Sequence, residues 1–109
     1  MEKDKINIGD LGNHIGEPVY VEGIVYEIKD HGGILIVDLY DESGFVKVVV
    51  GPDNVYGHKI AQEIKKNFFV GAYGYVKKAP LSSVGDKTEI IEIEVDRLIV
   101  FGKKGKKSI

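Results

Sequence analysis

The chain has no cysteine and no tryptophan, and only one methionine and three prolines in 109 residues. Without cysteine there is neither a disulfide framework nor a thiolate metal site, and a reducing, intracellular setting is expected. Long apolar runs are missing too. No stretch approaches the ~18 residues that a membrane-spanning helix needs, and the opening MEKDKINIGD lacks the hydrophobic centre of a signal peptide. The expectation is a cytoplasmic protein with no membrane partner. There is no P-loop, no G-x-G-x-x-G and no G-x-S-x-G, and Gly32-Gly33 reads as a turn and not as a phosphate cradle. His14, His31 and His58 lie far apart with no carboxylate set at metal-ligand spacing. Neither an enzyme, nor a cofactor, nor a metal site is expected.

What is present suits one globular domain, with 43% hydrophobic and 29% charged residues. Net charge is −2, but it is unevenly spread. Residues 1–102 hold 11 basic and 17 acidic side chains, a balance of −6, while Lys103, Lys104, Lys106 and Lys107 give the tail +4. The body cannot steer a polyanion from a distance, so affinity for one must come from a local face, a loop or the tail.

The stretch from Glu17 to Val50 organises the chain. Its apolar–polar alternation and its β-branched and aromatic residues predict three strands, about 18–28, 34–40 and 45–50. KDHGG (29–33) and DESG (41–44) carry turn residues between them. An interior Gly23 suggests a bulge or sharp bend that lets one strand serve two parts of a curved sheet. Asp53 or Asn54 can cap a helix over 55–67, with Tyr56, Ile60, Ala61 and Ile64 on one face and Gly57 weakening it. Strand four follows at 68–77, then a polar loop at 77–87, then strand five at 88–101 with a bend near Asp96. The division expected is a polar lead-in at 1–16 with a short turn about Ile8 to Leu11, a barrel domain at 17–101, and a basic flexible tail at 102–109.

The order β-β-β-α-β-β predicts an all-β fold: a five-stranded Greek-key OB-fold barrel with a short helix between strands three and four. A five-stranded SH3-like barrel is the competitor, and the helix after strand three favours OB. Parity places Val19, Val21, Val25, Ile28, Leu35, Val37, Leu39, Val46, Val48 and Val50 inside. It leaves Tyr26, Ile36, Asp38, Tyr40, Phe45 and Lys47 outside. Exposed aromatic and apolar side chains beside a lysine make a platform for stacked bases. Lys29 and His31 in the first loop, and Lys77, Lys78 and Lys87 in the strand four–five loop, are candidates to grip phosphates at its rims. Asp38 and Lys47 suggest a cross-strand ion pair, and Asp41 suggests a turn closed through its side chain. The function expected is a single-stranded nucleic acid or tRNA-binding module, with single-stranded DNA or RNA as partner. It would act as a monomer or weak dimer, or as part of a larger complex. The alternative is a protein-interaction or oligomerisation module, motivated by the acidic body and the outward Ile34, Ile36 and Val49.

The motif GxVYxIKDHGGILIVDLYDESGFVKVVV resembles the N-terminal anticodon-binding OB domain of the aspartyl- and asparaginyl-tRNA synthetases, whose pattern is GWVxxxRDxGGxxFxDLRDxxGxxQVV. The match runs through Gly23, Asp30, Gly32, Gly33, Asp38, Leu39, Asp41 and Gly44, and more loosely through Gly74 and IEIEVDRLIV. The resemblance implies a tRNA-contacting face. Ile36 stands where those domains stack a phenylalanine on a base, and Lys47 where their glutamine reads one. Tyr40 and Lys29 replace arginines. General contact with single strands or structured RNA is therefore expected ahead of specific anticodon reading.

Overall fold

The computed structural model describes residues 4–80 and 89–103. Five strands, β1 (Pro18–His31), β2 (Ile34–Asp41), β3 (Gly44–Val50), β4 (Phe68–Pro80) and β5 (Glu89–Lys103), close into a barrel in the order β1-β2-β3-β5-β4. A short helix α1 (Val55–Ala61) lies between β3 and β4. The barrel and the helix between β3 and β4 are those of the OB arrangement expected.

Closure depends on β1, which pairs with β4 through Pro18–Ile24 and with β2 through Ile24–His31. A Cβ on Gly23, at the change of partner, would come within 2.8 Å of the Tyr40 carbonyl oxygen. Only glycine lets the two backbones approach so closely. As expected of Gly23, β1 serves two parts of the sheet from this point, and the bulge itself lies three residues later. Val25 faces Leu39 and Glu27 faces Asp38, which leaves Tyr26 unopposed. A second register shift leaves Asp96 unopposed where a bend in β5 was expected.

Several boundaries differ from the sequence reading. β1 runs on through Lys29–His31, because the turn needs only Gly32 and Gly33, at φ 66° and 95°. This two-residue, positive-φ loop matches the twist of a hairpin. β4 keeps Lys77–Pro80 in register with Glu89–Glu92. The helix stops at Ala61, because residues beyond it are polar apart from Ile64 and a short helix survives by packing. Asn54 caps it, its side-chain oxygen accepting the Gly57 amide at 2.8 Å. Of the residues expected on the packed face, Ala61 and Ile64 are buried and Ile60 partly so, while Tyr56 is 70% exposed and Gly57 is buried in its place.

The barrel interior follows the parity expected of β1 to β3. Val19, Val21, Val25, Val37, Leu39, Val46, Val48 and Val50 are all buried. Each stabilises the fold by roughly 1.5–3 kcal/mol relative to exposure. Ile28 and Leu35 are only partly buried, because they sit toward the tip of the β1–β2 hairpin. Ile8 and Leu11, from a 3-10 segment at Ile8–His14, join the same core.

Candidate nucleic-acid interface

Three aromatic rings gather on the outer face of β1 to β3. Tyr40 and Phe45 are cross-strand partners with ring centroids 6.3 Å apart, and Tyr26 meets Phe45 edge-on at 5.6 Å. Phe45 is 55% exposed and Tyr26 49%, while Tyr40 is half-buried. The bulge explains why Tyr26 projects: an unopposed residue has no cross-strand neighbour to hold it against the sheet. Ile36 sits on the same face of β2, half-buried and paired with Lys29 on one side and Val49 on the other.

The lysines are less available than the sequence suggested. Lys47 donates from Nζ to Asp38 Oδ1 at 3.0 Å, across strands that place the two residues opposite each other. Asp38 is only 4% exposed although it occupies an outward position. Lys47 therefore neutralises a buried carboxylate and is not a lone cation on the platform. Lys77 pairs with Glu94 at 3.1 Å, and Lys29 lies 3.9 Å from Glu27. Lys29 and His31 belong to the end of β1, and Lys77 and Lys78 to β4, not to loops. Adjacent strand residues point to opposite faces, so Lys77 and Lys78 cannot both line one rim. Lys87 lies outside the described residues.

Two features escaped the sequence reading. Lys66, in the connection between α1 and β4, places its Nζ 5.5 Å from the Tyr26 ring centroid, and with Tyr26, Glu27 and Ile28 it lines a shallow hollow. The only sequence signal was a Lys65-Lys66 pair before a strand. Next to Tyr40, a groove of about 730 Å³ is lined by Tyr40, Ile24, Phe69, Lys5, Glu22 and Glu42, among others.

Asp41 secures that second border. Its Oδ1 accepts the Ser43 hydroxyl at 2.6 Å and the Ser43 and Gly44 amides at 2.7 and 3.0 Å, and its Oδ2 accepts the Ile8 amide at 3.0 Å. Partial burial pushes its carboxyl pKa up. The Ser43 hydroxyl and the Ile8, Ser43 and Gly44 amides outweigh that and hold it below the ordinary carboxylate value. Among the described residues there is no cluster of His, Cys, Asp and Glu able to hold a metal, and no helix long and apolar enough to cross a membrane.

A family model described as an OB-fold nucleic acid binding domain matches residues 19–101. The aspartate–tRNA(Asp/Asn) ligase of Aquifex aeolicus is 34% identical over 90 residues, covering 80% of this chain and 15% of that protein. Its counterpart from Sulfurovum is 39% identical with the same shares. The chain thus spans about 15% of the length of these curated relatives. Among solved structures, asparaginyl-tRNA synthetase from Pyrococcus horikoshii with asparaginyl-adenylate matches with a TM-score of 0.76 at 22% identity, over 97% of this chain and 24% of that one. An OBody bound to hen egg-white lysozyme matches with a TM-score of 0.74 at 23% identity, over 94% and 98% of the two chains. These structural likenesses show the fold, and the resemblance read from the Gly23–Val50 motif is borne out.

Proposed function

The chain belongs to the OB-fold nucleic acid binding domain family, and from that premise we propose that it binds single-stranded nucleic acid or tRNA by stacking bases on Tyr26, Phe45 and Tyr40. The observation that carries this reading is the exposed aromatic cluster on the outer face of β1 to β3. Each stacked base contributes about 1–3 kcal/mol without requiring a particular sequence. Ile36 extends the apolar floor. Lysine–phosphate contacts add salt-dependent affinity. The mechanism is binding without turnover. The working unit is residues 17–101 together with the 3-10 segment whose Ile8 and Leu11 complete its core. That the relatives act on tRNA makes tRNA one of the ligands to try.

The test is a titration of labelled single-stranded DNA, single-stranded RNA and tRNA at low and moderate salt. Binding of at least one, weakened by Tyr40→Ala and by Phe45→Ala, is the expected result. No binding by any of the three, even at low salt, would sink the proposal.

A second reading is a protein-interaction or oligomerisation module. Its support is the solvent-facing pair Val55 and Tyr56 on α1, 77% and 70% exposed, together with the acidic body. A concentration-dependent rise in mass by light scattering, abolished by Tyr56→Ser, would favour it.

A further inference from the structure

The stacking proposal leaves open where the phosphate backbone is held. Lys47, Lys29 and Lys77 each face a carboxylate of the chain itself. The groove beyond Tyr40 is no better: among the described residues, Glu22, Asp41 and Glu42 line it against one lysine, Lys5, which already lies 3.8 Å from Glu22. Fixed negative charge there repels a polyanion.

The border at Tyr26 is different. The Phe68 amide donates to the Lys65 carbonyl at 3.0 Å, and the Asn67 amide donates to the Val25 carbonyl at 2.8 Å. Asn67 turns the chain at φ 75°. This tight return pins Lys65 and Lys66 beside β1, one residue from the bulged Tyr26. Phe68, the first residue of β4, pairs in turn with Lys103, the last residue of β5. Lys65, Lys66 and Lys103 are all exposed, and Lys66 already hangs over the Tyr26 ring. The one carboxylate lining the hollow, Glu27, faces Lys29. Lys65 and Lys66 thus lie beside the bulged Tyr26, and Lys103, far from them in sequence, sits one strand further on, opposite Phe68. The chain continues from there into Lys104, Lys106 and Lys107.

Building on the stacking proposal, we infer that the backbone of a bound single strand is gripped at this corner, by Lys65, Lys66 and Lys103, and not by the lysines of the strands that carry the rings. The strand enters at Tyr26, lays bases over Phe45 and Tyr40, and stops short of the acidic groove.

The experiment follows binding of fluorescein-labelled oligo-uridine and oligo-thymidine 12-mers by the full chain across a salt series. Two variants are compared with the parent: Lys65→Gln/Lys66→Gln/Lys103→Gln and Lys29→Gln/Lys77→Gln. Loss of three single-strand phosphate contacts should flatten the slope of log K against log salt by about 2 and weaken binding about ten- to a hundredfold at 0.1 M salt. The Lys29/Lys77 variant should keep a slope near the parent's. Thermal melts of both variants should match the parent, since all five lysines are exposed. A parent slope in the triple variant, or the main loss in the Lys29/Lys77 variant, overturns the inference while leaving stacking intact. A parent that binds neither 12-mer at any salt overturns the inference, and stacking falls with it only where tRNA also fails to bind.

Discussion

The barrel carries aromatic residues on two outer faces, and they are used differently. On the β1–β4–β5 side, Tyr20 and Tyr73 lie 4.4 Å apart, the Arg97 guanidinium sits 4.4 Å over Tyr73, and the Tyr20 hydroxyl donates to Glu22 at 2.7 Å. The Tyr20 and Tyr73 rings there already have partners, and Tyr20 is 8% exposed, although Tyr75 two residues along β4 is 54% exposed. On the β1–β2–β3 side the rings are farther apart, two of them about half exposed, and only Lys66 reaches over Tyr26. Aromatic content alone would not separate the two faces. Saturation separates the Tyr20–Tyr73 pair from the Tyr26–Phe45–Tyr40 cluster: a ring with a cation on its face and a neighbour against it has little surface left to offer.

The strongest way to break this comparison is to truncate rings on both sides and measure binding. Tyr26→Ala/Phe45→Ala should weaken oligonucleotide affinity about ten- to a hundredfold, whereas Tyr73→Ala should leave it within about twofold of the parent. Equal losses would mean the faces are not distinct. Stability should run the other way. Tyr73→Ala, which loses a packed ring and a cation–π partner, should cost about 2–3 kcal/mol in urea denaturation, against less than about 1 for Phe45→Ala.

Lys47 tests whether its charge serves structure or ligand. Lys47→Gln leaves the buried Asp38 without its ion partner and should cost about 1–3 kcal/mol, with little change in the salt dependence of binding. Adding Asp38→Asn should recover part of that cost. A flattened salt slope at unchanged stability would show the opposite assignment.

The smallest effect concerns the segment joining the two faces. The Ile6 amide donates to the Tyr20 carbonyl at 2.9 Å on one side, and Ile8 is held by Asp41 on the other. Asp41→Asn should lower stability by about 1 kcal/mol at neutral pH. Because the folded-state pKa of Asp41 is depressed, its contribution is complete above the unfolded value of about 3.9 and is lost as pH falls through the folded value. The gap between parent and variant should therefore close on acidification, and a gap constant down to low pH would remove Asp41 from this role.

Much of the barrel was legible because strand parity is a local property. Val46, Val48 and Val50 alternate with Phe45, Lys47 and Val49, and a period of two assigns every side. The Asn54 cap and the Gly32-Gly33 turn were legible for the same reason, since short-range hydrogen bonds and φ preferences act within a few residues. The candidate site was legible in its rings and not in its charges. The Lys47–Asp38 ion pair was legible from strand parity, whereas Lys29 and Lys77 read as cations along the chain and only the folded strands reveal Glu27 and Glu94 beside them. Tyr26 owes its projection to a bulge whose position depends on how β1 meets β2, and Gly23 misplaced it by three residues.

The sequence by itself determined the strand count, the inward valines, the helix after strand three and the family, because each is encoded in local alternation, turn chemistry or a contiguous motif. Tertiary structure alone decided how the rings on each face are partnered and where, among the described residues, lysines collect without a carboxylate beside them. Contacts such as Tyr20 with Tyr73 and Lys66 with Tyr26 join residues 53 and 40 positions apart, and nothing in the linear pattern specifies them until the barrel closes.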